Sequence, residues 1–210
     1  MRTCTLLITI FLSFTAFSQD SYWKFNVSYS EDGVSETTTL EAYGTKGKYY
    51  AKEETAEGTY EAVVVDSTLD SMLFLLSDEF SKIATMGSLG LKGSDDSAGY
   101  AEEPDMTEGE DYRFLPETKV IKGLNCQKIA LLENMQVIGY GWVALQVQQN
   151  FAESEGFFSL HLPAGTIVDL HAETEGRQLA VTLADYTIHP VFPKDLFLLQ
   201  IPAGFEDHSY

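Results

Sequence analysis

The sequence predicts a mainly β protein: a curved antiparallel sheet or half-open β-barrel with one or two short helices. Three observations carry this. Apolar and polar residues alternate with a period of two, as at Trp23, Phe25, Val27 and Tyr29 against Lys24, Asn26 and Ser28. The alternating segments are short and separated by turn residues. A late segment, Gln178 to His189, alternates at Leu179, Val181 and Leu183 and then shifts parity to Tyr186 and Ile188, as a bent or bulged strand does.

Residues 1–18 come first and are of a different kind. They hold one basic residue, Arg2, and then an uncharged apolar run from Leu6 to Phe17. A run of about a dozen residues falls short of the ~20 needed to cross a bilayer as a helix. With small residues at Ala16 and Ser18, it reads as a secretory signal peptide cleaved after Ser18. Cys4 precedes the apolar run, so it leaves with the peptide and is no lipid-attachment site. The exported chain, 19–210, then keeps Cys126 alone, forms no internal disulfide, and depends on a core in a single β domain.

After the first strand, Glu31-Asp32-Gly33 supplies the positive φ of a tight hairpin. A Thr-rich strand follows over Val34 to Tyr43, a turn over Gly44 to Gly47, and further strands over Lys48–Lys52 and Thr59–Asp66. Residues 67–80 allow two readings. Leu69, Met72, Leu73, Leu76 and Phe80 fit a helical stripe capped by Ser67 or Thr68; the same stretch reads as a turn at Thr68–Ser71 and a strand at Met72–Leu76. Residues 87–111 carry five glycines and, between Gly93 and Tyr112, eight acids without a base, the composition of a mobile acidic loop. Strands resume at Lys119–Ile121, Asn125–Leu132 and Gln136–Val147. In the last of these the apolar face switches near Trp142, which predicts a bulge or burial on both sides. Gln148–Glu155 is polar and fits one or two helical turns; Gly156–Leu162, Thr166–Thr174, Gln178–His189 and Phe197–Ile201 complete the β pattern, and Pro202–Gly204 turns the chain at its end.

Composition narrows the function. With 13 Lys and Arg against 32 Asp and Glu, a net charge of −19, the surface repels phosphate backbones, which excludes nucleic acid bound through a basic patch. No second apolar stretch reaches membrane-spanning length, so an integral membrane protein is not expected, and the periplasm is expected ahead of secretion.

The run Ile121-Lys122-Gly123-Leu124-Asn125-Cys126-Gln127-Lys128, then Trp142, then Phe197 with Ile201-Pro202-Ala203-Gly204-Phe205 resembles the C-terminal half of the domain of unknown function 4412 family of secreted Bacteroidota proteins, related to the GLPGLI proteins. The shared features are the I-x-G-x-x-C-x-K hairpin (Ile121, Gly123, Cys126, Lys128), the Trp strand, and an F-x-x-P-x-G type ending (Pro202, Gly204). The Gly-Leu-Pro-Gly-Leu-Ile run itself is missing. The resemblance covers about the last 90 residues and implies a fold like the periplasmic lipoprotein carriers (LolA and LolB), a curved sheet around an apolar cavity. It implies no activity and no cofactor.

Chemistry-bearing residues are few. Cys126 sits in an alternating strand and reads as a buried small hydrophobe. His161, His171, His189 and His208 fall on separate elements. Asp169 and His171 share a strand face, but one His and one carboxylate do not fix a transition metal. Asp95, Asp96, Glu102, Glu103 and Asp105 could offer oxygens to calcium, in an order unlike the EF-hand. Asn26-Val27-Ser28 spells a glycosylation sequon inside a strand. No nucleophile motif, phosphate loop or zinc motif is present, so no enzyme is expected. The expected function is an exported binding protein holding an apolar or lipid-like ligand in a cavity lined by Trp23, Phe25, Tyr140, Trp142, Phe158 and Leu160. The alternative is a structural or envelope-interaction protein with a packed core and a cation-binding acidic surface.

Overall fold

The computed structural model describes residues 20–89, 112–145, 165–174 and 176–209. It is all-β. The strands are β1 (Ser21–Glu31), β2 (Val34–Thr45), β3 (Lys48–Thr55), β4 (Tyr60–Asp66), β5 (Ser71–Ser77), β6 (Lys82–Ser88), β7 (Tyr112–Ile121), β8 (Leu124–Glu133), β9 (Gln136–Ala144), β10 (Thr166–Thr174), β11 (Arg177–Ile188) and the two-residue β12 (Glu206–Asp207). Their order is β12-β6-β5-β4-β3-β2-β1-β11-β10-β9-β8-β7, an open, unclosed sheet. Successive strands from β1 to β6 and from β7 to β10 pair antiparallel, and β12 runs parallel to β6. No described residue is helical; the expected helical turns at 148–155 and residues 90–111 of the expected acidic loop (87–111) lie outside the described residues, while Gly87 and Ser88, where that loop was expected to begin, end β6.

The turns follow from local chemistry. Asp32 (φ 50°) and Gly33 (φ 81°) join β1 to β2, and Lys122 (φ 51°) and Gly123 (φ 82°) join β7 to β8, both two-residue hairpins with two left-handed positions. The 67–80 segment resolves as turn and strand for a specific reason. An Asp66 carboxylate oxygen accepts from the Thr68 N–H (3.0 Å), the Thr68 hydroxyl (2.5 Å) and the Leu69 N–H (3.3 Å), closing a turn after β4 that delivers the chain antiparallel into β5. The polar residues that suggested a helix cap are therefore turn residues. Asp78 closes the β5–β6 turn in the same way, accepting from the Phe80 and Ser81 N–H groups, each at 2.7 Å.

The chain divides into two compact units, with the division falling within β11 between Val181 and Thr182. The first unit contains β1 to β6, the second half of β11 and the C-terminal tail. One face of its sheet buries Ala62, Val64, Leu73, Leu75 and Ala84, against which Tyr50, Tyr60, Leu199, Ile201 and Phe205 pack. The tail is held there by backbone as well as by apolar contact. Phe205 N–H donates to Pro202 O (3.2 Å) around Gly204 (φ 89°), His208 N–H donates to Ala84 O (2.8 Å), and Met86 N–H donates to Ser209 Oγ (2.9 Å). The Pro202 and Gly204 motif thus turns the tail so that it lies along β6.

The second unit contains β7 to β10 and the start of β11. Its core is Ile129, Leu131, Val143, Leu170 and Ala172, packed by Tyr112, Ile138, Ile167, Leu179 and Val181. Close approach fixes Gly139: a Cβ built there would sit 2.1 Å from His171 O and 2.6 Å from Ala172 Cα, so β9 and β10 pair only because this position has no side chain. The bulge expected near Trp142 is on its partner strand, where the β10 register shifts between Ile167, opposite Val143, and Asp169, opposite Trp142.

Candidate functional site

The second face of the first unit's sheet is the strongest candidate, and strand register builds it. Trp23, Ala42, Ala51, Val63 and Phe74 form one row across β1 to β5. On one side of it runs the row Ser21, Gly44, Tyr49, Val65 and Met72, and on the other the row Phe25, Leu40, Glu53, Glu61 and Leu76. Side chains two apart on a strand share a face, so these three rows form one surface. Its middle strands carry the small residues Gly44, Ala42 and Ala51 together with Leu40, Tyr49 and Glu53, between Trp23 and Phe25 on β1 and Val63, Val65, Phe74 and Met72 on β4 and β5. The small side chains among bulky ones shape a trough in the sheet face, and it is filled: Trp23, Phe25, Ala42, Tyr49 and Ala51 are between 0% and 2% exposed.

Aromatic contacts order the β1 wall. The Trp23 and Phe25 rings are parallel with centroids 6.2 Å apart, and the Tyr186 ring lies 4.1 Å from Trp23, tilted by 36°. Trp23 and Ala42 are fully buried and Met72 is partly exposed. The trough turns polar toward Glu53, which accepts a hydrogen bond from the Thr38 hydroxyl (2.6 Å). Burial raises the Glu53 carboxyl above the ordinary carboxylate range, opposed by the Thr38 bond and reinforced by Glu61 and Glu36, and burial raises Glu61 as well.

Of the six residues expected to line a cavity, Trp23 and Phe25 lie in this unit and Tyr140 and Trp142 in the other. Phe158 and Leu160 lie outside the described residues. Tyr140 and Trp142 share a face of β9 with charged neighbours: Lys119 Nζ stands 4.3 Å from the Trp142 ring centroid and Lys128 Nζ 5.0 Å from that of Tyr140. Lys128 also pairs with Glu117 (3.3 Å) and Lys119 with Asp169 (3.5 Å). His171 Nε2 is 3.2 Å from Asp169 Oδ1, within ion-pair distance but out of alignment for a hydrogen bond.

The residues that carry the resemblance have structural work. Gly123 makes the β7–β8 hairpin, and Ile121 ends the strand before it. Cys126 is buried, its thiol donates to Leu124 O (3.3 Å), and burial pushes it up, away from the thiolate a nucleophile needs. Among the described residues there is no group of three or more His, Cys, Asp or Glu able to hold a metal ion. His161 and the acids Asp95, Asp96, Glu102, Glu103 and Asp105 lie outside them. No helix among them is long and apolar enough to cross a membrane.

Sequence reasoning passed over the floor of the trough and Tyr186. The floor was visible as small residues at alternate positions, Ala42 and Gly44 on one strand and Ala51 on the next. Tyr186 was visible as the residue at which the β11 apolar parity changes.

No protein-family model and no curated protein matches the chain. Among solved structures it is similar to PNGF-II, with 13% identity over 91% of this chain and 31% of that one and a TM-score of 0.43. It is also similar to an uncharacterized conserved protein from Thermus thermophilus, with 8% identity over 90% of both chains and a TM-score of 0.46. A third is a LolA superfamily protein from Nitrosomonas europaea, with 11% identity over 87% of this chain and 92% of that one and a TM-score of 0.36. The chain spans about a third of the length of PNGF-II. None of these comparisons shows membership of the domain of unknown function 4412 family.

Proposed function

We propose that this chain is an exported, non-enzymatic binding protein of the bacterial envelope, which holds an apolar or lipid-like ligand in the trough beside Trp23. The observation that carries the reading is that the first unit's sheet is apolar on both faces. The C-terminal tail covers one of them, and the other, also buried, carries Gly44, Ala42 and Ala51 between aromatic and aliphatic side chains. Apolar clefts with a few polar groups at one end are the usual form of small-molecule sites. The signal-peptide pattern of residues 1–18 supports export to the periplasm. The hairpin and Pro-Gly motifs support kinship with the domain of unknown function 4412 family and, through it, a carrier-like role. The non-enzymatic part rests on the engagement of Cys126, His171 and Asp169 in structural contacts.

One observation favours a second reading, a structural envelope protein with a packed core and a cation-binding acidic surface. Trp23 and Ala42 have no accessible surface, as in a filled interior. Titration with diphenylhexatriene, a hydrocarbon that fluoresces only out of water, separates the two. A saturable signal that Ala42→Leu and Ala51→Leu abolish, in variants that still fold, supports the ligand trough. No signal from the folded wild-type chain supports the packed core.

A further inference from the structure

In the second unit, β7 is the outermost strand of its sheet, and among the described residues no strand pairs with its outer edge. Pro116 belongs at such an edge, because it has no N–H to give to a ladder. The strand bulges between Phe114, opposite Ile129, and Thr118, opposite Gln127, and the Gln127 side-chain amide donates to Leu115 O (3.2 Å) across the bulge. Beyond the bulge, Thr118 to Ile121 run in register with Gln127 to Leu124, which leaves alternate backbone groups of this stretch turned outward.

The side chains beside that edge are sorted by face. Arg113 is opposite Ala130 and Lys119 opposite Cys126, and Lys128 lies in the row between, so three cations stand in successive rows of one face, about 7 Å apart along the strands. The Trp142 and Tyr140 rings steady two of them without cancelling their charge, with Lys119 Nζ at 4.3 Å and Lys128 Nζ at 5.0 Å from the ring centroids. On the other face of β7, Phe114 is 38% and Val120 66% exposed, at the margin of the core that holds Ile129. The sign of this region is also local. The described residues of the second unit carry five Lys and Arg against four Asp and Glu, and those of the first carry six against seventeen, so the cations of β7 and β8 lie in the part of the chain where acids do not outnumber them. A second copy's β7 laid along this edge sets its own Arg113 and Lys119 on the same stripe, and like charges opposite one another weaken a sheet pair. The edge thus rejects its own copy and suits a strand of opposite charge.

We propose that the edge of β7 from Thr118 to Ile121 docks an extended acidic segment of a partner protein, which adds a strand to the sheet. Main-chain hydrogen bonds to β7 hold the segment, and alternate side chains give it specificity. Its carboxylates, at every second position, face Lys119 and Arg113 directly and Lys128 from one strand further in. Its intervening apolar side chains cover Val120 and Phe114. This surface lies in the second unit and stands or falls independently of the ligand reading above.

A short end-blocked peptide alternating Glu and Val, titrated into ¹⁵N-labelled residues 19–210 at pH 7, tests it. Saturable shifts are expected at Thr118 to Ile121, with slowed hydrogen exchange at alternate amides there, the set not already bonded to β8. Affinity is expected to fall several-fold between about 50 and about 500 mM NaCl, as screening predicts. The same peptide with Lys in place of Glu is expected not to bind. Lys119→Glu, in a variant whose spectrum otherwise matches the wild type, is expected to weaken binding roughly three- to tenfold, the worth of a cross-strand charge pair reversed. Polygalacturonate, a polyanion without a peptide backbone, is expected to leave the exchange of those amides unchanged. No shift with the acidic peptide overturns the proposal, as do shifts without slowed exchange, which mean that charge alone attracts it. Equal binding of the Lys peptide, or of the peptide by Lys119→Glu, overturns the acidic partner. The exchange measurement on the wild type decides the matter even if Lys119→Glu does not fold.

Discussion

Replacing Glu53 by glutamine should stabilise this protein at neutral pH. Glu53 is largely buried on the trough face, faces Glu61 directly across the β3–β4 pair, and feels Glu36 from β2. Glutamine keeps an oxygen for the Thr38 hydroxyl, which donates to Glu53 across 2.6 Å, so the substitution removes charge while preserving the hydrogen bond. Like charges directly opposite on a sheet cost roughly 0.2–1 kcal/mol per pair, and burial adds to that, so Glu53→Gln should gain about 1 kcal/mol at pH 7. For a chain of this length that corresponds to a rise in Tm of about 2–4 °C.

The pH dependence has a definite sign. The folded-state pKa of Glu53 is raised above its unfolded value, so protonation favours the folded state: the associated stability is fully present below the unfolded value of about 4.3 and is lost as pH rises through the raised folded value. Urea unfolding of wild type and Glu53→Gln between pH 4 and 8 should therefore show a gain for the variant near neutrality that shrinks toward zero on acidification. A variant less stable than wild type at pH 7, or a difference that does not change with pH, would refute this account of the trough's polar end.

Three further outcomes follow from single contacts. Gly139→Ala places a methyl 2.1 Å from His171 O and should cost about 3 kcal/mol or prevent folding, read by urea denaturation or by loss of soluble yield; tolerance of the substitution would mean that β9 and β10 do not pair as described. Met135→Gly should stabilise by about 0.5–1 kcal/mol in thermal melts, because Met135 is an exposed side chain held at φ 64° in the β8–β9 turn and the change creates an Asn-Gly hairpin. Asp66→Asn should destabilise by about 1–3 kcal/mol at pH 7, since the buried carboxylate accepts three hydrogen bonds at the β4–β5 turn and pairs with Lys48 at 2.9 Å. Those bonds outweigh burial and lower its pKa, so its contribution is present above the ordinary value of about 3.9 and fades as pH falls through the lower folded value. A Met135→Gly loss, or an Asp66→Asn penalty unchanged down to pH 3, would count against these assignments.

What the sequence made legible was local. Asp32-Gly33 sits where the chain needs left-handed backbone, so its hairpin could be read directly; the Lys122-Gly123 hairpin came with the resemblance, and the parity switch at Trp142 marked a real irregularity one strand away. The β8–β9 hairpin was harder to see, because Asn134 and Met135 adopt positive φ without a glycine to announce it. Residues 67–80 were ambiguous because Ser, Thr and Asp serve helix caps and turns alike; the decision belongs to the Asp66 carboxylate, whose partners only the fold reveals.

The candidate site was legible only in part for the same reason. Alternation identified Trp23 and Phe25 as inward residues of β1. That Ala42 and Ala51 lie beside them depends on register across three strands, and that Tyr186 lies against Trp23 depends on a contact between opposite ends of the sequence. Tyr140 and Trp142 alternate just as Trp23 and Phe25 do, yet they sit beneath Lys119 and Lys128, and no period within β9 distinguishes the two pairs.

The central claim is the proposed one, that this chain holds an apolar or lipid-like ligand. Native mass spectrometry of residues 19–210, purified without detergent or organic solvent, tests it most directly. The account predicts a population heavier than the polypeptide by a discrete mass, which disappears on lipid extraction. A single peak at the bare polypeptide mass, from a folded chain that also fails to take up diphenylhexatriene, would contradict it.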